Sequence, residues 1–292
     1  MPIRKNAPMG FADVVLEDLG STRTSALLSK WFNLSDPGLE EALLDRISFR
    51  KFVGLPFSDA TPDETIFVKF RKRLREAKLD GYLFQSVVKH LDLQGFLVRQ
   101  GTMVDATIIE QSTGSKNDDG ESTRDEDASF TKKNNQTHHG YKVSIACDLS
   151  GVITDFKVTT AKVHDSKCID ELVEDEDRVV YADSAYSSND RREALRDRGV
   201  IDAIVYKRTR NQSKLYDWQD RWNVLVSKLR SKVEHPFAML KHQLGYRKVR
   251  YRGIERNGFD VCLMLMACNL KRGLWLGSQS HDLVFDPVPK SA

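Results

Sequence analysis

A chain of 292 residues with 40% hydrophobic and 30% charged content suits one or two water-soluble domains with a sizeable core. No apolar run reaches the ~18 residues of a membrane span, and the opening MPIRKNAPMGFADVV lacks an apolar signal core, so no membrane partner and no export are expected. The net charge of +3 conceals polarity: residues 207–256 hold fourteen Lys/Arg against four Asp/Glu, whereas 170–177 carry six acids and no base.

In chain order, residues 1–97 read as helical. Leu39–Ile47 has helical apolar spacing. A second helix is expected near Thr61, with Thr61 as N-cap, Pro62 as first helical residue and Glu64 as reciprocal cap. Ile66, Phe67, Phe70 and Leu74 then recur on one side, with Lys69, Arg71, Lys72, Arg73 and Arg75 on the remainder. Such a basic second helix, Arg71 and Arg73 included, either enters a DNA major groove or forms the charged outside of an ordinary helical domain.

From residue 98 the period changes. Val104 leads into Asp105, and Thr107-Ile-Ile continues a β-branched run. Residues 112–136 lack apolar periodicity and read as one long loop. Tyr141–Asp148 and Val152–Thr160 alternate across Leu149-Ser-Gly151, a hairpin signal. A short helix over 166–173, a strand over Arg178–Ala182 ending at Asp183, a helix over 189–198 and a strand over Val200–Val205 follow. A long amphipathic helix is expected over 216–244, kinked or interrupted at Pro236. Val261–Cys268 reads as a buried helix. Cys147, Cys168, Cys262 and Cys268 form no Cys-x-x-Cys pair, which suits free thiols in a reducing cytosol; His138 and His139 lack matching ligands at zinc spacing.

Carboxylates at strand ends are the candidates for chemistry. Asp105 and Asp183 each stand at or beside the end of an apolar strand, where ligands of open α/β sheets gather. They either converge with a third acid on a hard divalent cation or merely cap strand-to-loop turns. Glu234 is the single acid among eight Lys/Arg between Lys228 and Arg252. At about 100° per residue Arg230, Glu234 and Lys241 share one helical face. An Arg230–Glu234 ion pair would account for one cation; phosphate binding accounts for all, and aromatics interleaved with cations in LGYRKVRYRG (Arg247, Lys248 and Arg250 among them) point to nucleic acid.

These strings resemble the DDE transposases of bacterial insertion sequences, of the insertion-sequence-four and -five superfamily. Arg230-x₃-Glu234-x₆-Lys241 is similar to the signature around that family's catalytic glutamate. Val104-Asp-Ala-Thr107 resembles the first-aspartate motif and Tyr181-Ala-Asp-Ser-Ala-Tyr186 the second. Asp125-Glu-Asp-Ala128, Gly140-Tyr-Lys142 and Val163-His-Asp-Ser166 resemble the segments between them; Pro62-Asp-Glu-Thr65 and Phe70-Arg-Lys-Arg-Leu74 resemble the preceding helical region. Ser227 departs from the pattern, which has tyrosine at that position.

The resemblance implies an α/β fold: a ribonuclease-H-like catalytic domain, a mixed sheet flanked by helices, over residues 98–275. A helical N-terminal domain for DNA-end recognition would occupy 1–97 and a C-terminal tail 276–292. It implies that Asp105, Asp183 and Glu234 bind two Mg²⁺ ions, with Mn²⁺ as an alternative. Water would attack the phosphodiester at a transposon end, and the freed 3′-OH would attack target DNA. The partners would be double-stranded DNA, terminal inverted repeats and target, with a dimer assembled on DNA ends. The place would be the bacterial cytoplasm, associated with the nucleoid when bound. Arg230, Lys241, Arg247, Lys248, Arg250, Arg71 and Arg73 are expected at DNA; Lys142 contacts phosphate or pairs with Asp148. His164 and Asp165 are expected to make structural hydrogen bonds near the site. A metal-dependent nuclease without strand transfer, and a non-catalytic DNA-binding repressor or domesticated remnant, are the alternative functions.

Overall fold

The computed structural model describes residues 20–115, 121–133, 135–174, 177–208 and 212–282; the expectation about the opening residues lies outside them. Among the described residues five helices come first: α1 (Gly20–Trp31), α2 (Asp36–Asp45), α3 (Ile47–Phe52), α4 (Glu64–Glu76) and α5 (Asp80–Leu93). Ser35 caps α2 by accepting from the Gly38 amide. The helix expected from Thr61 starts two residues later. Asp63 is its N-cap, accepting from Ile66 N at 2.9 Å, while the Thr61 hydroxyl accepts from Arg50. An aspartate also brings negative charge to the positive helix end, which Thr61 cannot.

The sheet comprises β1 (Thr102–Glu110), β2 (Ser129–Lys133), β3 (Gln136–Cys147), β4 (Ile153–Thr160), β5 (Val179–Ala182) and β6 (Ile201–Ile204). Its order is β2-β3-β1-β5-β6, with β4 also on β3. β3 runs antiparallel to β1, β2 and β4, whereas β1, β5 and β6 are mutually parallel. This is the mixed sheet expected of a ribonuclease-H-like fold.

The expected loop over 112–136 is corrected in part: β2 lies within it and pairs with β3, which begins at Gln136 rather than Tyr141. β2 offers one large apolar side chain, Phe130, 45% exposed, and ends on two lysines, so it carries the polar character of an edge rather than an apolar alternation. Where β3 passes from β2 to β4, a Cβ at Gly140 would lie 2.2 Å from the Ile109 carbonyl oxygen. Only glycine fits that approach.

After α6 (Ile169–Leu172), β5, α7 (Asn189–Asp197) and β6, the expected 216–244 helix divides. It becomes α8 (Asp217–Arg230), a 3₁₀ turn Ser231–Val233, α9 (Glu234–Ala238) and a π-helical turn Met239–Gln243. The interruption precedes Glu234 instead of falling at Pro236. Pro236 sits in the first turn of α9, where its missing N–H costs least. The last helix, α10 (Ile254–Asp282), continues through residue 276 without a break, so the expected tail is helical up to Asp282.

One large core joins these parts. Met103, Ile109, Tyr141, Val143, Ile145 and Cys147 form one sheet face, packed with Leu27 of α1, Leu83–Leu91 of α5, Val233, and Phe259–Leu270 of α10. The opposite face, with Val104, Ala146, Val180 and Ala182, packs on Ile169, Leu172, Tyr186 and Leu195. Asn269 fixes α10 to β4 by taking the Ile153 N–H (2.8 Å) and giving its amide to the Ile153 carbonyl (2.7 Å). All four cysteines are free and buried.

Candidate active site

β1 and β5 are parallel, with Thr102 opposite Val180 and Met103 opposite Tyr181. Carrying that register on by two residues brings Asp105 level with Asp183. Residues level with one another on neighbouring strands point to the same sheet face and stand about 5 Å apart along the ladder. That face is the one carrying Met103, Ile145 and the large core, on which the turn Ser231–Val233 packs through buried Val233.

Asp105 accepts from its neighbour Ala106 N at 2.8 Å and from Arg230 at 3.1 Å. Burial pushes its carboxyl above the usual range. The Ala106 amide, Arg230 and Lys133 act against burial, and the charge of Asp183 adds to it. Asp183 directly follows β5 and caps the 3₁₀ turn Ser184–Tyr186, accepting from Ser184 N at 2.6 Å.

Glu234 does not share a face with Arg230 as regular spacing implies. The 3₁₀ turn between them advances about 120° per residue, so four residues turn them about 120° apart instead of 40°. Arg230 therefore reaches down to Asp105 while Glu234, next to the anchored Val233, is exposed. Among the described residues no three His, Cys, Asp or Glu side chains close into a group that could hold a metal. Asp105, Asp183 and Arg230 come together, while Glu234 follows buried Val233 in the chain and is exposed.

The expected DNA contacts separate into two sets. Lys241 is half-buried, and burial first, then Lys133, holds its ammonium below the usual value. Arg247, Lys248 and Arg73 are exposed. Arg247 donates to the Lys241 carbonyl and lies beside His242, and the backbone at Lys248 bridges to Glu110 at the end of β1. Four others, Arg230, Lys142, Arg71 and Arg250, have internal partners instead. Arg71 is buried and donates to both Asp36 oxygens. Arg250 donates to Asn33 and the Leu34 carbonyl.

Lys142 pairs in register with Ile108, on the face opposite Asp105, and its buried ammonium bridges Asp165 at 2.5 Å. The expected pairing with Asp148 is corrected, since Asp148 instead accepts from Val98 N, Val152 N and Ser150. His164 caps the short 3₁₀ turn that follows, accepting from Ser166 N. His164 and Asp165 thus make the structural bonds expected of them.

Two features escape the sequence reading. Lys133, at the end of β2, bears electrostatically on both Asp105 and Lys241, though its Lys-Lys doublet falls where no element is expected. Asp125 is a hub. It accepts from the Tyr141 hydroxyl (2.6 Å), Gly253 N (3.0 Å), Gln111 (3.1 Å) and Asp127 N (3.2 Å), while Asp127 caps α10 at Ile254 N (2.8 Å). The strings Asp125–Ala128 and Gly140–Lys142 are thereby joined as one structural unit.

The Transposase DDE domain family matches residues 97–270, and the Transposase domain (DUF772) matches residues 24–73. No solved structure matches. No helix among the described residues is long and apolar enough to cross a membrane. With more than half of its length in that match, on a mixed sheet flanked by helices, the chain belongs to the DDE transposases of insertion-sequence type.

Proposed function

We propose that this transposase binds the terminal inverted repeats of its insertion sequence, hydrolyses the phosphodiester at each end and joins the freed 3′-OH to target DNA. In this reading Asp105, Asp183 and Glu234 are the catalytic carboxylates, acting in a dimer assembled on two DNA ends in the bacterial cytoplasm. The observation that carries it is the parallel register setting Asp105 level with Asp183 on the face crossed by the Arg230–Glu234 turn.

The donor set fits a hard divalent cation: both aspartates offer only oxygen, and burial acts against the charge of the half-buried Asp105, which a positive neighbour offsets. Asp105, Asp183 and Glu234 would hold two Mg²⁺ ions, or Mn²⁺. When bound, such ions neutralise charge on the reacting phosphate and acidify the attacking water. The residues of the chain prepare the rest. Arg230 favours the ionised form of Asp105 against the effect of burial. Lys241, Arg247, Lys248 and Lys133 surround that side of the sheet with positive charge for the DNA backbone.

The test uses a purified protein and a duplex carrying one element end. Asp105→Ala, Asp183→Ala and Glu234→Ala are each expected to abolish divalent-dependent strand cleavage while end binding survives. Cleavage persisting in any of them overturns the triad. Joining of pre-cut ends to a target plasmid separates transposition from nuclease activity, which yields no joined product.

A further inference from the structure

A second basic surface shares no residue with the site just described. On α4, Val68, Lys72 and Arg75 recur at four- and three-residue spacing and form one stripe, whereas Lys69 and Arg73 fall on another. That stripe faces Arg256 of α10 across a cleft of about 250 Å³, with Arg71, Asp36, Tyr251 and Asp260 also lining it. The two acids bring no net negative charge, because Asp36 is paired with Arg71 and Asp260 with Lys30. Three cations are left over. Lys72 meets only Glu76, at 3.7 Å and in the open; Arg75 and Arg256 have no carboxylate partner among the described residues.

We propose that this cleft grips the sugar–phosphate backbone of the duplex beside the cleaved end, through Lys72, Arg75 and Arg256; the inference rests on the transposase reading above. The arrangement suits an extended polyanion. Its cations stand on two separate helices, along a groove with an apolar wall at Val68, 51% exposed. A small anion would need convergent buried donors, and the buried guanidinium that lines the cleft, Arg71, is already given to Asp36. The floor is rigid, since Arg71–Asp36 and Lys30–Asp260 tie α4, α2, α1 and α10 together. The helical N-terminal region and the last helix therefore present one surface to DNA.

The experiment measures binding of an element-end duplex by fluorescence anisotropy across a salt series. Each phosphate contact contributes about 0.9 to the slope of log affinity against log salt, so Lys72→Ala/Arg75→Ala/Arg256→Ala is expected to flatten the slope by about 2.7. Between about 50 and 200 mM salt the affinity advantage of the wild type then shrinks about 40-fold. The charge-conserving Lys72→Arg/Arg75→Lys/Arg256→Lys restores the slope, which a folding defect in the triple alanine variant would not explain. Asp105→Ala keeps the slope and loses cleavage. An unchanged slope in the triple alanine variant overturns the cleft while leaving the transposase reading intact. Displacement of the duplex by inorganic phosphate at matched ionic strength, lost in that variant, overturns the backbone assignment in favour of a small-anion site. A wild type that neither binds nor cuts the duplex overturns both readings.

Discussion

Replacing Lys30 by Met, or Asp260 by Leu, tests whether the N-terminal helices and the sheet fold as one unit. The two side chains are 3% and 1% exposed and bonded to each other across α1 and α10. Removing either partner strands a buried charge, at a cost of about 3–5 kcal/mol. Asp260 also lies close to Arg71, Tyr246 and Tyr251, and its charge helps to raise both tyrosines, for which burial is the first cause. A single variant should therefore perturb several buried groups at once.

The double variant Lys30→Met/Asp260→Leu exchanges the ion pair for apolar volume and should be within about 1–2 kcal/mol of wild type or more stable. Urea unfolding and calorimetry provide the measurement. A loss of about 4 kcal/mol lowers the midpoint by roughly 7 °C in a chain of this size. The shared core predicts that one transition moves as a whole. Two separable transitions, with only the earlier shifted, would refute that reasoning. So would single variants costing under about 1 kcal/mol, because a fully desolvated charge cannot be left unpaired so cheaply.

Asp125→Ala should cost about 3 kcal/mol, read by urea unfolding, because four donors lose their acceptor and the Tyr141 hydroxyl is left buried. Burial acts to raise the Asp125 carboxyl, but the hydrogen bonds from Tyr141, Gly253, Asp127 and Gln111 outweigh it and hold the group below its ordinary value. Its contribution is thus fully present above the unfolded value of about 4 and is lost as pH falls through the lower folded value; an acid titration of wild type against the variant should converge there. Gly140→Ala should lose about 3 kcal/mol, measured as a fall in melting temperature, since its methyl would meet the Ile109 carbonyl, a backbone atom with no rotamer to yield.

The strands from β3 onward were legible from the alternation of their residue types, although β3 itself is buried on both faces from His139 to Cys147. The β3–β4 hairpin alternates, and Val180 and Ala182 sit in a wholly apolar layer just before Asp183. β2 was not legible, because it pairs along an edge and little of it is buried; its stability comes from backbone bonds to β3, which residue types do not record. The start of α4 was misplaced by two residues because Thr61 and Asp63 are both competent caps; the pairing of Thr61 with Arg50, a contact from α3, removes it from the competition. Similarly, Arg71 and Arg73 look equivalent in sequence. Only the position of Asp36 on α2 distinguishes the buried guanidinium from the exposed one.

Arg230 shows most clearly where spacing stops being informative. Four residues separate it from Glu234, and a regular helix would set both on one face. The 3₁₀ turn removes about 0.6 residue per helical turn and rotates them apart, so one charge faces the sheet and the other faces solvent. No residue type between them demands that turn, since Ser231, Lys232 and Val233 are all tolerated in an α-helix. Pro236 cannot donate to the Lys232 carbonyl within that turn, and Val233 is wholly buried against the same face that carries Asp105. The consequence is electrostatic. A cation that the sequence assigns to DNA acts toward the ionised form of a half-buried carboxylate, and the acid that the sequence isolates among cations is exposed at the surface, next in the chain to Val233. Identity of the charged residues is therefore readable from the motif, but the partner of each charge is decided by how the turn between them packs.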